Sequence, residues 1–381
     1  MNILIFTNDI GGHHLEYIHH MHDVASKDPN NNYIFLIPNG FSEISHNYDW
    51  PDSNNVKFVL FDNSFLGGVN KCIRSQLLYS LKITKFINDY IKKYSVQKIF
   101  VNTLIDFIFA APFLLSKRAS LSGIIYKIYL RDPNISKLRS FAEDIVFYIA
   151  SKSSVFKSIF ILNDKDSTLK LNKKFNSNKF VDIIDPYTPL LLNKNYHFRI
   201  KYNISYDKKL FVVLGALNTN KGVIEVLDSI LLLSPIDKEK FYFVFAGKVS
   251  DDIRDKFYKK YYECKKHASI LLFDEFCTYG LFANICHECD AILLPYKRVA
   301  QSSGMVGYAA QFDKPVIAPS KGLIGDIVSQ YKMGLQLDQL TPESLRDAYL
   351  EFIQKDIKVD GNSYCKGHSI EEFKKIIKDN I

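Results

Sequence analysis

An α/β fold built from two Rossmann-like domains is what this sequence predicts, on three observations. Short apolar runs rich in Ile, Val, Phe and Tyr alternate with helical patterns in two separate stretches. The runs are continuous rather than alternating, as the strands of a parallel sheet covered on both faces read. The chain has 381 residues, too many for one ordinary core and suited to two.

The first stretch opens on "NILIF" and continues through "YIFLI", "VKFVL", "KIFVN", "GIIYKIYL" and "SIFILN". Helical patterns separate several of these, over residues 76–94 and 136–150. The second stretch repeats the alternation with "LFVVLG", "FYFVFAG", "ASILLF", "AILLPY" and "PVIAP". Between the two, residues 182–209 are irregular, carry two prolines and precede a clear first strand. A short amphipathic helix, "SIEEFKKIIKDN", lies in the tail. The expected domains are therefore 1–190 and 191–360, with 361–381 as a terminal helical segment.

Hydrophobic residues make up 47% and charged residues 24%, which places the chain among ordinary globular proteins. The formal charge of +8 favours anionic partners such as phosphorylated ligands or acidic headgroups. No run reaches the ~18 apolar residues of a membrane span. The start, "MNILIFTNDIGG", lacks a basic n-region and a cleavage site. Six cysteines form no disulfide-rich pattern. A cytoplasmic protein is expected. The lone "CHEC", 286–289, has no second pair at zinc spacing and reads as packing. Basic residues are dispersed and no nucleic-acid motif appears, so nucleic acid is not an expected partner.

Four strand-to-helix corners carry special residues. In "FTNDIGGHHLEYIHHM", Gly11 and Gly12 let backbone approach a ligand, and amides at the following helix start attract anions. His13 and His14 follow them as candidate cleft residues. In "VVLGALNTNKGVIEVLDSI", a strand ends at Gly215 and Lys221 stands at a helix start, placed to put a point charge on a phosphate. "FAGKVSDD" is a weaker corner of the same kind. In "QSSGMVGYAAQF", Ser302 and Ser303 offer hydroxyls and successive amides, small enough to leave room for a diphosphate, or serve only as an N-cap. No acidic residue occurs between Gln301 and Phe312, where an added carboxylate would repel a diphosphate.

Five segments in order, "GALNTNKG", "FAG", "FDEFCTYGLFANICHECDAILLPY", "SGMVGYAAQFDKPVIAP" and "KGLIGDIV…MGLQL", resemble the carboxyl-terminal domain of nucleotide-sugar-dependent glycosyltransferases of the GT-B fold, in particular the retaining family 4 group. The resemblance spans roughly residues 205–355. It implies two Rossmann-like domains facing each other across a cleft, the donor held mainly by the second. It also implies a terminal helix crossing back to the first domain, and no metal or other cofactor. By the same resemblance Lys221 is the diphosphate lysine, and Gly215 precedes its loop. Ser303, Gly304 and Met305 contact phosphates and sugar, and Gly11 and Gly12 lie near donor phosphate and acceptor. The backbone of Glu275 and Phe276 holds the nucleobase. Three departures stand out. Ala216 replaces an arginine, Ala300 and Tyr308 replace two glutamates, and Arg131-Asp132 replaces a histidine–aspartate pair. The Tyr308 hydroxyl is taken as a stand-in on the ribose, and Arg131 as a stand-in for the missing cation.

The implied activity is transfer of a sugar from a nucleotide-diphosphate donor to a glycan or lipid-linked glycan in surface polysaccharide assembly. A retaining enzyme lets the leaving phosphate oxygen take the acceptor's proton. An inverting one needs a base, for which His13, His14 and Asp132 are the candidates. The segments "SKRASLSGIIYKIYLRD" and "SKSSVFKSIF" are candidates for resting on anionic lipid. The competing readings are a sugar-nucleotide epimerase of the same fold and a degenerate sugar-nucleotide-binding protein without turnover.

Overall fold

The structure, a computed structural model, describes residues 1–11, 13–45, 48–67 and 73–381. Two compact units divide the chain: Met1–Ile184 with Ile370–Ile381, and Asp185–Ser369.

The first unit is a seven-stranded sheet. Its strands are β1 (Asn2–Phe6), β2 (Asn32–Pro38), β3 (Val56–Phe61), β4 (Lys98–Val101), β5 (Ser120–Ile125), β6 (Phe156–Leu162) and β7 (Phe180–Ile183). They lie in the order β3-β2-β1-β4-β5-β6-β7, and every pairing is parallel. Ile3 of β1 pairs with Tyr33 on one side and Lys98 on the other. Successive side chains of a strand point to opposite faces. Leu4 and Phe6 join Leu36, Ile99 and Val101 in one core layer, while Ile3 and Ile5 join Phe35, Ile37 and Phe100 in the other. Both layers are buried, which is why these strands read as unbroken apolar runs. The second layer is closed by the helix His13–Ser26 through Leu15, Ile18 and Met21, and by the terminal helix Ile370–Asn380 through Phe373 and Ile377. Tyr17 stacks on Phe373 with ring centroids 5.3 Å apart. Burying Phe373 and Ile377 is worth about 1.5–3 kcal/mol each. Ser158 Oγ donates to the Asn380 carbonyl at 2.6 Å, and Lys98 Nζ to that of Ile381 at 2.9 Å.

The second unit is a six-stranded parallel sheet. Its strands are β8 (Lys209–Leu214), β9 (Phe241–Ala246), β10 (Ser269–Phe273), β11 (Ala291–Leu293), β12 (Val316–Pro319) and β13 (Gly334–Leu337), in the order β10-β9-β8-β11-β12-β13. Both units thus have the doubly wound order, which reverses between β1 and β4 and between β8 and β11. Ligands of such sheets bind beyond the carboxyl ends of the strands at that reversal.

Several expectations change. Residues 361–369 belong to the second unit rather than with the terminal helix: a Cβ on Gly361 would lie 1.9 Å from the Ala310 carbonyl oxygen. "GIIYKIYL" is not one strand. The ladder with β6 ends at Ile125, and the chain then forms the turn Tyr129–Arg131. β7 and β13 carry Asp182 and Gln336 among their four residues each, so neither reads as an apolar run. The two segments chosen for lipid contact include the buried strand β5 and most of the buried strand β6. Cys286 and Cys289 are buried in the core of the second unit.

Candidate functional site

In the second unit the site grows from the carboxyl end of β8. Gly215 has φ of +85°, and a Cβ there would meet Lys221 Nζ at 3.3 Å. The Asn218 side chain accepts from the Lys221 amide at 3.1 Å and starts the turn Thr219–Lys221. Gly222 follows with φ of +60°, and a Cβ on it would lie 2.1 Å from the Pro295 carbonyl oxygen. Only glycine fits so close an approach in that conformation. The loop is thereby pressed onto the exit of β11. The Lys297 amide donates to the Asn220 carbonyl at 2.9 Å, and the Arg298 amide to Asn220 Oδ1 at 2.8 Å.

This clasp fixes Lys221. Its Nζ donates to the Leu214 carbonyl at 3.1 Å and to the Tyr296 hydroxyl at 2.7 Å, and lies 4.7 Å from the centroid of the Tyr296 ring. Tyr296 Oη in turn lies 2.9 Å from Ser303 Oγ, which accepts from the Met305 amide at 3.3 Å. The structure therefore joins Gly215, Lys221, Ser303 and Met305 through Tyr296, which the sequence reading did not single out. Among the described residues no carboxylate lies within 4.0 Å of Lys221 Nζ. Gly304 is the N-cap of the helix Met305–Gln311, which has only seven residues. The amides of Val306 and Gly307 turn inward to the carbonyls of Ser303 and Gly304. The charge at this corner thus comes from Lys221.

Other candidates fare differently. Tyr308 is 4% exposed and packs in the core with Val306 and Ala309, so its ring is not presented at the mouth of the corner. Ala300 is buried as well. Glu275 and Phe276 lie in the loop after β10, two strands away from β8, both exposed. Ser302 precedes Ser303 in the loop before the helix Met305–Gln311 and is partly exposed.

In the first unit, Gly12 lies outside the described residues, as does the His13 side chain, though His13 opens the first helix. The Gly11 amide donates to Asp9 Oδ1 at 2.8 Å. His14 is half-buried, with Nδ1 3.3 Å from Asn102 Nδ2, Nε2 3.8 Å from Asp9 Oδ2, and its ring edge-on to Tyr126. Arg131 does not serve as a spare cation. Its guanidinium forks onto Asp164 at 2.8 and 2.6 Å, and the Asp164 side chain is 1% exposed. Burial opposes ionisation of Asp164, but hydrogen bonds from Arg131 and Ser167 hold its carboxyl below the ordinary value. Asp132 accepts from the Asn134 amide at 3.1 Å and lies 3.7 Å from Lys127 Nζ.

Asp132 also lines a cavity of about 380 Å³ with Tyr79, Asp106, Phe109, Tyr126 and Glu143. Burial pushes the Asp106 carboxyl up to about 6, against the hydrogen bond it accepts from Asn8. The Asn8 amide reaches Asp106 Oδ2 at 2.9 Å and the Tyr79 hydroxyl at 2.6 Å. None of Asn8, Tyr79 and Asp106 was picked out in the sequence. The available signal was position, since Asn8 and Asp106 follow the carboxyl ends of β1 and β4.

Residues 196–362 match the family model of glycosyl transferases group 1. No curated protein matches the chain. Among solved structures, a glycosyltransferase from Rickettsia africae is similar at 13% identity and a TM-score of 0.68, covering 99% of this chain and 96% of that one. HepE from Anabaena in complex with UDP gives 13% and 0.67 over 99% and 98%. WaaG, a glycosyltransferase involved in lipopolysaccharide biosynthesis, gives 11% and 0.66 over 100% and 99%. The chain has the GT-B fold. The GT-B second unit coincides closely with the family match, and the clasp around Lys221 lies inside it.

Proposed function

We propose that this GT-B protein transfers a sugar from a nucleoside-diphosphate donor to a glycan or lipid-linked glycan, with retention at the anomeric carbon. The observation that carries the reading is Lys221: a tethered ammonium at the carboxyl end of β8, with no carboxylate within 4.0 Å among the described residues. A cation held without a counterion suits an anionic ligand. HepE, of the same fold, is known bound to UDP and to UDP-glucose, which supports a diphosphate there.

The chemistry follows from charge. As the glycosidic bond to the diphosphate breaks, positive charge develops at the anomeric carbon and negative charge on the leaving oxygens. Preorganised donors aimed at the developing charge supply the largest share of such catalysis. Lys221 and the Ser303 hydroxyl are those donors. The phosphate oxygen so released takes the acceptor's proton, and the Lys221 ammonium supplies charge that a divalent ion supplies elsewhere. A thermal-shift screen of UDP, GDP, TDP and their sugars tests the reading. A ligand at a hundred times its Kd stabilises the fold by about 2.7 kcal/mol. No shift with any of them rejects it. A turnover assay on the sugar that binds separates transfer from the non-catalytic binder that Ala216 and Ala300 favour.

Contact with an anionic membrane on the cytoplasmic side is part of the proposal. Its support is the outer face of the helix Lys137–Lys152. Leu138, Phe141, Ile145 and Tyr148 are 81%, 63%, 45% and 50% exposed there. Exposed Lys137, Arg139 and Lys152 flank them. An apolar stripe bounded by cations suits an acidic lipid surface. Among the described residues no helix is long and apolar enough to cross a membrane.

A further inference from the structure

Valence fixes the proton between Lys221 and Tyr296. An ammonium has only donors, so Lys221 Nζ donates to the Tyr296 oxygen at 2.7 Å. The Tyr296 hydroxyl then has its own hydrogen to give, and Ser303 Oγ lies 2.9 Å away. Ser303 Oγ also accepts from the Met305 amide at 3.3 Å. When the Tyr296 hydroxyl donates to it, the Ser303 hydroxyl has received two hydrogens and is left to donate away from Tyr296. Lys221 spends a second N–H on the Leu214 carbonyl at 3.1 Å, which leaves its third. In that arrangement one phenol turns two neighbouring groups into donors directed elsewhere.

The phenol is itself held. Tyr296 is 7% exposed. Its amide donates to the Leu294 carbonyl at 2.7 Å, and the residues on either side of it are clasped to Gly222 and Asn220. The ammonium sits beyond the hydroxyl, 4.7 Å from the ring centroid. Rotation of the Lys221 chain is therefore restrained at the nitrogen by two hydrogen bonds, to the Tyr296 hydroxyl and the Leu214 carbonyl.

We propose that Tyr296 is a positioning residue for the donor's diphosphate, acting through Lys221 and Ser303 without touching the ligand. This rests on the reading of the second unit as a donor site. Tyr296→Phe is the decisive variant, because it keeps the ring and its volume and removes one oxygen. Calorimetry on the wild type, Tyr296→Phe, Ser303→Ala and the double variant gives affinities for UDP, GDP and TDP. Saturation-transfer NMR gives the affinity for the matching phosphate-free nucleosides.

The expected result is a slightly lowered melting temperature with the cooperative transition kept, unchanged nucleoside affinity and diphosphate affinity about ten- to hundredfold weaker in Tyr296→Phe, the range of a hydrogen bond to a charged group. The double variant falls short of the product of the single effects, because the two oxygens act as one unit. Diphosphate affinity equal to wild type in Tyr296→Phe overturns the role. So does parallel loss of nucleoside and diphosphate affinity, which marks a merely structural tyrosine. A wild type that binds no nucleoside diphosphate overturns the donor-site reading itself, and the role with it.

Discussion

Lys221 owes its position to residues with no charge: the glycines at 215 and 222 and the phenol at 296. Replacing Lys221 by Ala should lower transfer a hundred- to thousandfold, the size of one lost transition-state donor, with the melting temperature unchanged; a rate near wild type removes it from the mechanism. Arg131 belongs to stability instead. Arg131→Ala leaves Asp164 buried without its cation and should cost about 3–5 kcal/mol in denaturant unfolding, partly recovered by adding Asp164→Asn. His20 is 5% exposed, and burial lowers its pKa to about 4. Its folded value lies below the unfolded one, so its contribution is whole above about 6.5 and is lost as pH falls toward 4, up to about 3 kcal/mol. Asp106 and Asp182, raised to about 6 by burial, act in the opposite sense over the same range. The isolating measurement is therefore the stability difference between wild type and His20→Phe. That difference should move in favour of the variant as pH falls from 6.5 to 4, and a constant difference refutes the assignment. The place of Lys221 after a strand and a glycine was legible in the sequence because those are local signals, while the role given to it came from the family resemblance. Tyr296 was not, since its partners come from positions 221 and 303. Arg131 was misread for the same reason: its carboxylate stands 33 residues further on.

The elements show where pattern suffices. Strands with both faces buried announce themselves, and β1, β2, β3, β4, β8, β9 and β11 match quoted runs. Where half of a run lies outside the ladder, as past Ile125, aromatic content misleads, because a turn over a cavity also needs rings. The clasp of two loops is the element-scale test. Gly222→Ala forces a left-handed residue against the Pro295 carbonyl, and should destabilise the protein by about 1–3 kcal/mol while weakening diphosphate binding more than Gly280→Ala, at a glycine with space around it. Phe373→Ala on the terminal helix should cost about 3–5 kcal/mol, read by denaturant unfolding, since the ring is fully buried against Tyr17 and His20.

For the whole molecule, the charge of +8 and the exposed stripe on the helix Lys137–Lys152 act together. Flotation with phosphatidylglycerol vesicles should carry the protein upward at low salt and fail with phosphatidylcholine. Phe141→Ser should weaken it at either salt, and raised salt should weaken the wild type further. Equal flotation with both lipids rejects the electrostatic part, and a concentration-dependent dimer lost in Phe141→Ser assigns the stripe to a second copy instead.

The return of the chain from Ser369 to the first unit has a consequence during synthesis. The layer of β1 that waits for Phe373 and Ile377 is made first and completed last, with the 185 residues of the other unit translated in between. At about 5–20 residues per second that gap is roughly ten to forty seconds on the ribosome. A nascent protein stalled short of residue 370 would display an unsealed hydrophobic floor after the other unit is complete, making late-stalled chains natural clients for chaperones.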